Sequence, residues 1–433
     1  MSPRLGARPP GRALLPTRLA LLPVVLALLA GLLAGCSDED HGLSSGDRPA
    51  EQRAQVQRLL DERARAVQDG DLRTFLRSLD RTDTGLVRRQ RRYFHNLQQL
   101  PLEQFRYRVS DRSWSGLLAD PAWGPQVTLP QVRVTMQLSG YDAMPVTRVT
   151  GFAFGRRDGR LLILSDRTRS GGFFPGVQPA PWEITRIRVR NSGAVLGVYD
   201  PRSYADSAEV NRTVAQGVRQ VRSVLPFRWS GRVVVYEFVD KRVLDSFDNV
   251  PGGNITHLGA MTFPVYSRPG ASRAASSRFV LMPGSVAAGE PFLGRITRHE
   301  LTHVALAQRD DGVPTWFAEG VAEYVGAREI TPSQRRIATV AVSRARGRVG
   351  GMPASGGFNG KDQDWNYALA WMACDWIAAH RGESRLWDLM NALHDGGRGT
   401  PDDQQDPVLR RVIGLDSDQL ARRAARRILD IYG

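Results

Sequence analysis

Residues 299–303 read HELTH and residues 314–324 read PTWFAEGVAEY, and these two stretches decide how the rest of the chain is interpreted. On an α-helix, residues four apart lie on one face, so His299 and His303 can bind a common cation. Glu300 lies beside them, where a carboxylate can take a proton from bound water. The first stretch therefore predicts a catalytic metal site on a helix.

A third ligand is expected, because catalytic zinc usually has three protein ligands and keeps a fourth position for water. Residues 308–312, QRDDG, are typical of a turn, and Pro314 is a favoured first residue of a helix. His303 lies as far before Asp311 as Glu319 lies after it. Two antiparallel helices joined there would bring Glu319 level with both histidines, so we predict Glu319 as the third ligand and Zn²⁺ as the cofactor.

The combined pattern resembles the gluzincin metallopeptidases, the clan that holds thermolysin and the aminopeptidase-N type enzymes. Their HExxH motif is followed by a glutamate ligand within a W/F-x-x-E-G-x-A-x-Y/F run. The chain is most similar to the compact bacterial peptidase-MA-like proteins, over roughly residues 185–433. The resemblance implies zinc ligands at His299, His303 and Glu319, with Glu300 as the general base.

The same resemblance implies roles for two further side chains. Glu323 matches a carboxylate that orients a histidine ligand, although acids at this spacing are also common on exposed helix faces. Related enzymes use a tyrosine or histidine after the glutamate ligand to stabilise the developing oxyanion. Tyr367 matches by position, because it is expected to start a buried helix just after the glycine-rich stretch 347–360. The alternative is a core tyrosine that bonds to the backbone.

Residues 258–262, LGAMT, resemble the Gly-Ala-Met-Glu-Asn edge strand of aminopeptidase-like gluzincins, which pairs with the substrate backbone. By that match Gly259, Ala260 and Met261 bind substrate. Thr262 stands where those enzymes have a glutamate that holds the substrate amine, and this difference argues against aminopeptidase specificity. An ordinary strand is the alternative interpretation.

Composition describes a globular protein with room for two or three domains, since 42% of its 433 residues are hydrophobic. The net charge of +15 comes almost entirely from arginine, with lysine only at Lys241 and Lys361. The arginines are scattered among acids and no nucleic-acid motif accompanies them, so no nucleic-acid partner is expected. An anionic membrane or wall surface is the favoured neighbour.

The first 36 residues have the features of a targeting segment. Four arginines precede an apolar run at 19–33, and the run ends in Leu33-Ala34-Gly35-Cys36. This resembles the bacterial lipobox, in which the cysteine becomes the lipidated first residue of the mature protein. We therefore predict an extracytoplasmic protein anchored to the cell membrane through Cys36. The alternative is an ordinary secretory signal. Cys374 lies in an apolar run and is expected to be buried.

Patterning predicts an α+β protein, in which an N-terminal unit of helices and an antiparallel sheet precedes a mixed sheet and a helical C-terminal half. The expected organisation has four parts: a signal peptide at 1–36, a flexible tether at 37–49, an accessory α+β domain at 50–170 and a gluzincin-like domain at 182–433. The accessory domain is loosely similar to the nuclear-transport-factor-2-like (SnoaL-like) family. Its third helix is expected around residues 93–100.

These features predict a lipid-anchored zinc metallopeptidase that hydrolyses a peptide or protein substrate with zinc-activated water. The alternative is a catalytically silent lipoprotein of the same fold that acts as a binding or envelope-assembly module. An intact Glu300 favours the enzyme, because metal binding alone does not need an acid at that position. The sequence leaves open the substrate, the choice between endo- and exopeptidase cleavage, and the oligomeric state.

Overall fold

The computed structural model describes residues 47–247 and 259–433. The predicted signal peptide at 1–36, with Cys36, and nearly all of the tether at 37–49 lie outside the described residues, so these assignments stay predictions. Helix α1, Asp47–Gln68, begins inside the end of the predicted tether. Within the two described ranges, no helix combines the length and the apolar character needed to cross a membrane.

The N-terminal part consists of three helices followed by antiparallel strands, as predicted. Strands β1, β2 and β3 form one sheet in that order, and β4 and β5 form a hairpin. The helices after α1 are α2 (Leu72–Arg77) and α3 (Thr84–Leu97). The strands are β1 (Leu102–Ser113), β2 (Pro130–Leu138), β3 (Val146–Gly151), β4 (Ala153–Arg157) and β5 (Arg160–Ser165).

The predicted position of the third helix, around residues 93–100, is wrong at its start. Helix α3 begins at Thr84 because the side chain of Asp83 accepts a hydrogen bond from the Leu86 backbone N–H at 2.9 Å. An aspartate at this position satisfies a free backbone donor of the first turn. Asp83, a favoured residue at a helix N-cap, is therefore the feature of the sequence that indicates a helix start at Thr84.

A mixed five-stranded sheet follows, with strand order β6-β7-β8-β10-β9. Its three central strands are parallel, and both edge strands are antiparallel to their neighbours. The strands are β6 (Arg188–Asn191), β7 (Val195–Tyr199), β8 (Val233–Glu237), β9 (Ala260–Tyr266) and β10 (Ala274–Leu281). Helix α4 (Pro181–Ile184) precedes β6 in sequence, α5 (Ser207–Val224) lies between β7 and β8, and α6 (Lys241–Asp245) lies between β8 and β9.

Both faces of this sheet are covered. Val233 and Val235 of β8 belong to an apolar cluster shared with the C-terminal helices. Val234 and Tyr236, which alternate with them, belong to a second cluster shared with the N-terminal helices and sheet. Alternation along a strand places successive side chains on opposite faces, so the mixed sheet is the middle layer of the molecule. The N-terminal part therefore packs directly against the strands that position the site.

The C-terminal half is helical, which confirms the predicted α+β class. Its helices are α7 (Pro283–Ala288), α8 (Phe292–Leu306), α9 (Thr315–Ala327), α10 (Thr339–Ala345), α11 (Gln363–Arg381), α12 (Ser384–His394), α13 (Gln405–Ile413) and α14 (Ser417–Tyr432). Helix α11 is buried along most of its length, and Cys374 within it is fully buried. Helix α11 packs against both α9 and α14, so it forms the centre of this half.

Glu237 at the end of β8 makes stability depend on pH. Its side chain is 2% exposed, and its Oε2 atom is buried without a hydrogen-bond partner. Burial, with the nearby charges of Asp206 and Asp200, raises its pKa from 4.5 to about 8. Between pH 4.5 and about 8, the folded protein therefore keeps a proton on Glu237 that the unfolded chain has released. The free energy of unfolding should therefore fall as pH rises through this window, by up to about 1.4 kcal/mol per pH unit.

We expect Glu237→Gln to remove this contribution, because the neutral amide has no proton to lose. Urea unfolding at several pH values between 5 and 8 measures the slope in both proteins. Glu209→Gln, at an exposed position of α5, is the matched control and should keep the wild-type slope. Equal slopes in wild type and Glu237→Gln would contradict the assignment.

Candidate metal centre

Helices α8 and α9 form the site. His299 and His303 lie one turn apart on α8, and Glu319 lies on α9. The two helices run antiparallel, as two contacts between them show. The Nε atom of Arg298 on α8 donates to the carbonyl of Gly326 near the end of α9. His303, later on α8, lies beside Glu319, which is earlier on α9. The connection between them gives the antiparallel arrangement expected from the sequence.

Three side-chain atoms converge on one point. His299 Nε2 lies 3.2 Å from Glu319 Oε2, His303 Nε2 lies 3.5 Å from the same oxygen, and the two Nε2 atoms are 3.3 Å apart. Glu319 Oε2 is buried and has no partner in hydrogen-bond geometry. A tetrahedral zinc with bonds of about 2.0–2.1 Å separates its ligands by about 3.3–3.4 Å. The donor set and its spacing therefore fit a zinc ion.

Two carboxylates hold the far sides of the imidazole rings. His299 Nδ1 lies 3.3 Å from Glu323 Oε1, within ion-pair distance but outside hydrogen-bond geometry. His303 Nδ1 lies 3.1 Å from Asp310 Oδ2. Acidic partners at Nδ1 orient histidine ligands and leave Nε2 for the metal. Asp310 has the same relation to His303 as Glu323 has to His299. This role was not predicted from the sequence, because residues 308–312 have the composition of a turn.

The electrostatics of these side chains favour a cation at the centre. Burial alone would lower the pKa of His299, but Glu319 and Glu323 raise it to about 9. Burial also opposes the charged form of His303, yet Glu319 and Asp310 raise its pKa well above the usual value. Despite burial, the two histidines hold the pKa of Glu319 well below its usual range. The carboxylates around the two rings thus favour positive charge at this position, and metal binding would displace protons from the ligands.

Glu323 is fixed from its other side by Arg295. The two side chains form an ion pair, and each is largely buried. Burial raises the pKa of Glu323, but Arg295 and His299 outweigh it and lower the pKa to about 2. The carboxylate therefore stays ionised at neutral pH. The interpretation of Glu323 as an exposed helix-face acid does not fit its position, since it lies between Arg295 and a candidate ligand.

Glycines allow the helices to approach this closely. A Cβ atom on Gly320 would lie 2.5 Å from the carbonyl oxygen of Ala370 on α11. A Cβ atom on Gly326 would lie 3.0 Å from the carbonyl oxygen of Arg295 on α8. The glycine that follows Glu319 is therefore required by the packing of α9 on α11, which also brings Tyr367 near the site.

Glu300 faces the same cleft from α8 but is not part of the ligand cluster. The Thr262 hydroxyl donates to Glu300 Oε2 at 2.6 Å. Burial raises the pKa of Glu300, and the two histidines and this hydrogen bond oppose that effect. Thr262, which by the family resemblance only replaces an amine-binding glutamate, is thus the hydrogen-bond partner of the carboxylate beside the ligands.

Tyr367 lies in the second turn of α11, which begins at Gln363, so the expectation that Tyr367 starts the helix is wrong. Its ring centroid is 6.3 Å from that of His299, and its side chain lines the cleft. Burial and the charge of Glu319 raise its pKa well above the usual value, so the phenol stays protonated and can donate a hydrogen bond. Asn359, from the glycine-rich stretch 347–360, also lines the cleft.

The cleft has a volume of about 480 Å³ and runs from the ligand cluster to strand β9. Ala260 and Met261 line it, whereas Gly259 does not: its carbonyl accepts a hydrogen bond from the Ser285 hydroxyl at 2.6 Å, and it packs against α7. The structure therefore brings two of the three predicted substrate-strand residues to the cleft.

Comparison with models of known protein families and with curated proteins gave no match for this chain. Its interpretation therefore depends on the geometry of the site. Among the described residues, the group that could hold a metal ion through at least three acidic, histidine or cysteine side chains is His299, His303 and Glu319. These are the three ligands that spacing along the sequence predicts.

Proposed function

We propose that the protein is a zinc-dependent peptidase of the gluzincin type, anchored through Cys36 on the extracytoplasmic face of the cell membrane. The observation that carries the proposal is the convergence of His299, His303 and Glu319 at zinc-ligand spacing beside the buried carboxylate of Glu300. The anchor rests on the sequence alone.

When bound, zinc supplies Lewis-acid chemistry, polarising the substrate carbonyl and lowering the pKa of water. Glu300 acts as the general base. Thr262 fixes its Oε2 atom, so Oε1 is the atom we expect to take the proton from the attacking water. The protonated Glu300 then passes that proton to the leaving amine. The protonated phenol of Tyr367 donates a hydrogen bond to the oxygen on which negative charge develops.

The hydrogen bond to Glu300 favours an enzyme over a catalytically silent binding or assembly module. Holding a metal requires the two histidines and Glu319, but it does not require an oriented acid beside them. A buried carboxylate is costly unless it has partners, and Glu300 has one that fixes its direction.

Purified protein loaded with zinc and incubated with a library of short random peptides tests the proposal. We expect about one zinc per chain and cleavage of peptide bonds other than the first, since Thr262 offers no carboxylate for a terminal amine. Mass spectrometry of the products identifies the bonds that are cut. Stoichiometric zinc without cleavage of any peptide would favour the catalytically silent module.

Thr262→Val keeps the shape of the side chain and removes its hydroxyl. Because hydrogen bonds to charged groups contribute about 1.5–3 kcal/mol, we expect kcat to fall by about tenfold or more with zinc content unchanged. Thr262→Ser keeps the hydroxyl and should recover most of the rate. If Thr262→Val turns over peptides as fast as wild type, Thr262 does not position Glu300.

Tyr367→Phe removes the proposed oxyanion donor and keeps the ring. We expect kcat to fall by about a hundredfold, with zinc content and thermal stability nearly unchanged. Steady-state kinetics and thermal unfolding of the same preparations separate the two interpretations. A loss of stability with kcat preserved would make Tyr367 a packing residue.

A further inference from the structure

A second groove lies on the opposite face of the mixed sheet from the ligand cluster. It has a volume of about 420 Å³ and is lined mainly by apolar side chains. One wall comes from strand β3 and the segment that follows β5, with Val149 and Trp182. The other wall comes from β9, with Phe263 and Val265. It is separate from the metal cluster, and Trp182 and Phe263 in its walls also belong to the apolar cluster that the mixed sheet shares with the N-terminal part.

The two walls are held at a fixed separation by backbone hydrogen bonds. The Thr147 N–H donates to the Ser267 carbonyl at 2.8 Å, and the Ala143 N–H donates to the Ala275 carbonyl at 2.9 Å. These bonds join the edge of the N-terminal sheet to the β9–β10 hairpin. The groove therefore lies at a hydrogen-bonded contact between the N-terminal sheet and the β9–β10 hairpin.

The groove and the catalytic cleft meet along β9. Pro264 and Tyr266 line both of them. Side chains of Phe263 and Val265 point to one face of the sheet, and those of Pro264 and Tyr266 point to the other. A groove that contacts all four must therefore reach the open edge of the strand.

That edge can pair with another extended chain. Strand β9 is the last strand of its sheet, and no described strand pairs with its outer side. Proline within a sheet lies where its missing N–H would point away from the neighbouring strand. Thr262 and Tyr266, two residues to either side of Pro264, then direct their backbone groups to the same open edge.

Two buried donors in the groove lack a partner. Nη2 of Arg148 and Nε1 of Trp182 are both buried without a hydrogen bond, and both residues line the groove. Trp182 itself is 4% exposed. Arg148 is paired through Nη1 with Glu183 at 2.8 Å, so its charge is balanced while the two N–H groups of Nη2 remain without an acceptor. An occupant of this groove should therefore be apolar and carry neutral acceptor oxygens, as a polypeptide does.

We propose that this groove binds apolar side chains of the substrate, which lies as an extended chain along the outer edge of β9. Successive side chains of such a chain point alternately to the catalytic cleft and to the groove. The substrate class is then a polypeptide with apolar residues at every second position on one side of the cleaved bond. This inference rests on the proposed peptidase function and adds a specificity determinant to it.

The test compares cleavage of a random peptide library by zinc-loaded wild type, Val265→Asp and Val149→Asp. These two substitutions place a charge on opposite walls of the groove, and Val149 lies outside the catalytic half of the chain. Val340→Asp is the matched control, since Val340 on α10 is 42% exposed. We expect apolar enrichment at alternating positions in wild type and Val340→Asp, and a loss of about tenfold in kcat/KM for those peptides in both groove variants.

Enrichment that is absent in wild type, or unchanged in both groove variants, would overturn the inference. Thermal unfolding and zinc content of each variant show whether it is folded, and Val265→Thr, which is isosteric, replaces Val265→Asp if that variant unfolds. If wild type cleaves no peptide at all, the proposed function fails separately. Retention of the same library on immobilised Glu300→Gln protein then tests whether the groove binds peptides. Enrichment of apolar residues among the retained peptides, abolished by Val149→Asp, would support binding in the groove. Absence of that enrichment would refute it.

Discussion

Glu300→Gln should keep about one zinc per chain and lower the rate of peptide hydrolysis by about a hundredfold or more. The amide has nearly the same shape as the carboxylate and can still accept the hydrogen bond from Thr262. It cannot take a proton from water at neutral pH. Since Glu300 contributes no atom to the ligand cluster, its substitution should separate chemistry from metal binding.

Zinc analysis and steady-state kinetics on the same preparation measure both quantities. Glu103→Gln, at an exposed position of β1, is the matched control and should retain full activity. A Glu300→Gln protein that cleaves peptides at the wild-type rate would remove Glu300 from the mechanism. Loss of zinc in this variant would instead place Glu300 among the ligands.

Glu319→Ala should lose most of the zinc, because it removes one of three ligands and leaves two histidines to hold the ion. Two consequences should follow in the same protein. Activity should be lost with the metal, and added zinc should no longer raise the unfolding temperature. In wild type, zinc at about a hundred times its dissociation constant should stabilise the fold by about 2.7 kcal/mol.

Metal analysis and thermal unfolding with and without added zinc check this result. Glu329→Ala is the matched control, since Glu329 is exposed just beyond the end of α9 and should leave zinc binding unchanged. Stoichiometric zinc in Glu319→Ala would show that the ion is held elsewhere.

Local patterns predicted the fold class and much of the order of elements. Strict alternation over residues 132–138 predicts a strand with one buried face, and β2 spans Pro130–Leu138 with its alternate apolar residues buried. The start of α3 was missed because its first turns lack a continuous apolar pattern and depend on the cap at Asp83. The contact between the N-terminal part and the mixed sheet depends on apolar residues far apart in sequence, so no local pattern indicates it.

The candidate site also combines contacts that local sequence patterns predict with contacts between residues far apart in sequence. Helical spacing alone brings His299 and His303 together, and the turn between the helices places Glu319 beside them. Thr262 contacts Glu300 across a separation of 38 residues, and only the folded sheet brings the two side chains together. Asp310 carried a sequence signal, an acid in the short connection after the second histidine, but the same residues also have the composition of a turn.

Diffraction from crystals of the zinc-loaded protein at the zinc absorption edge tests the central claim most directly, because anomalous scattering locates the ion without reference to activity. We predict a single strong peak within about 2.0–2.1 Å of His299 Nε2, His303 Nε2 and Glu319 Oε2. A protein that holds stoichiometric zinc but gives its peak elsewhere, or gives none at these three atoms, would contradict the assignment of the metal centre.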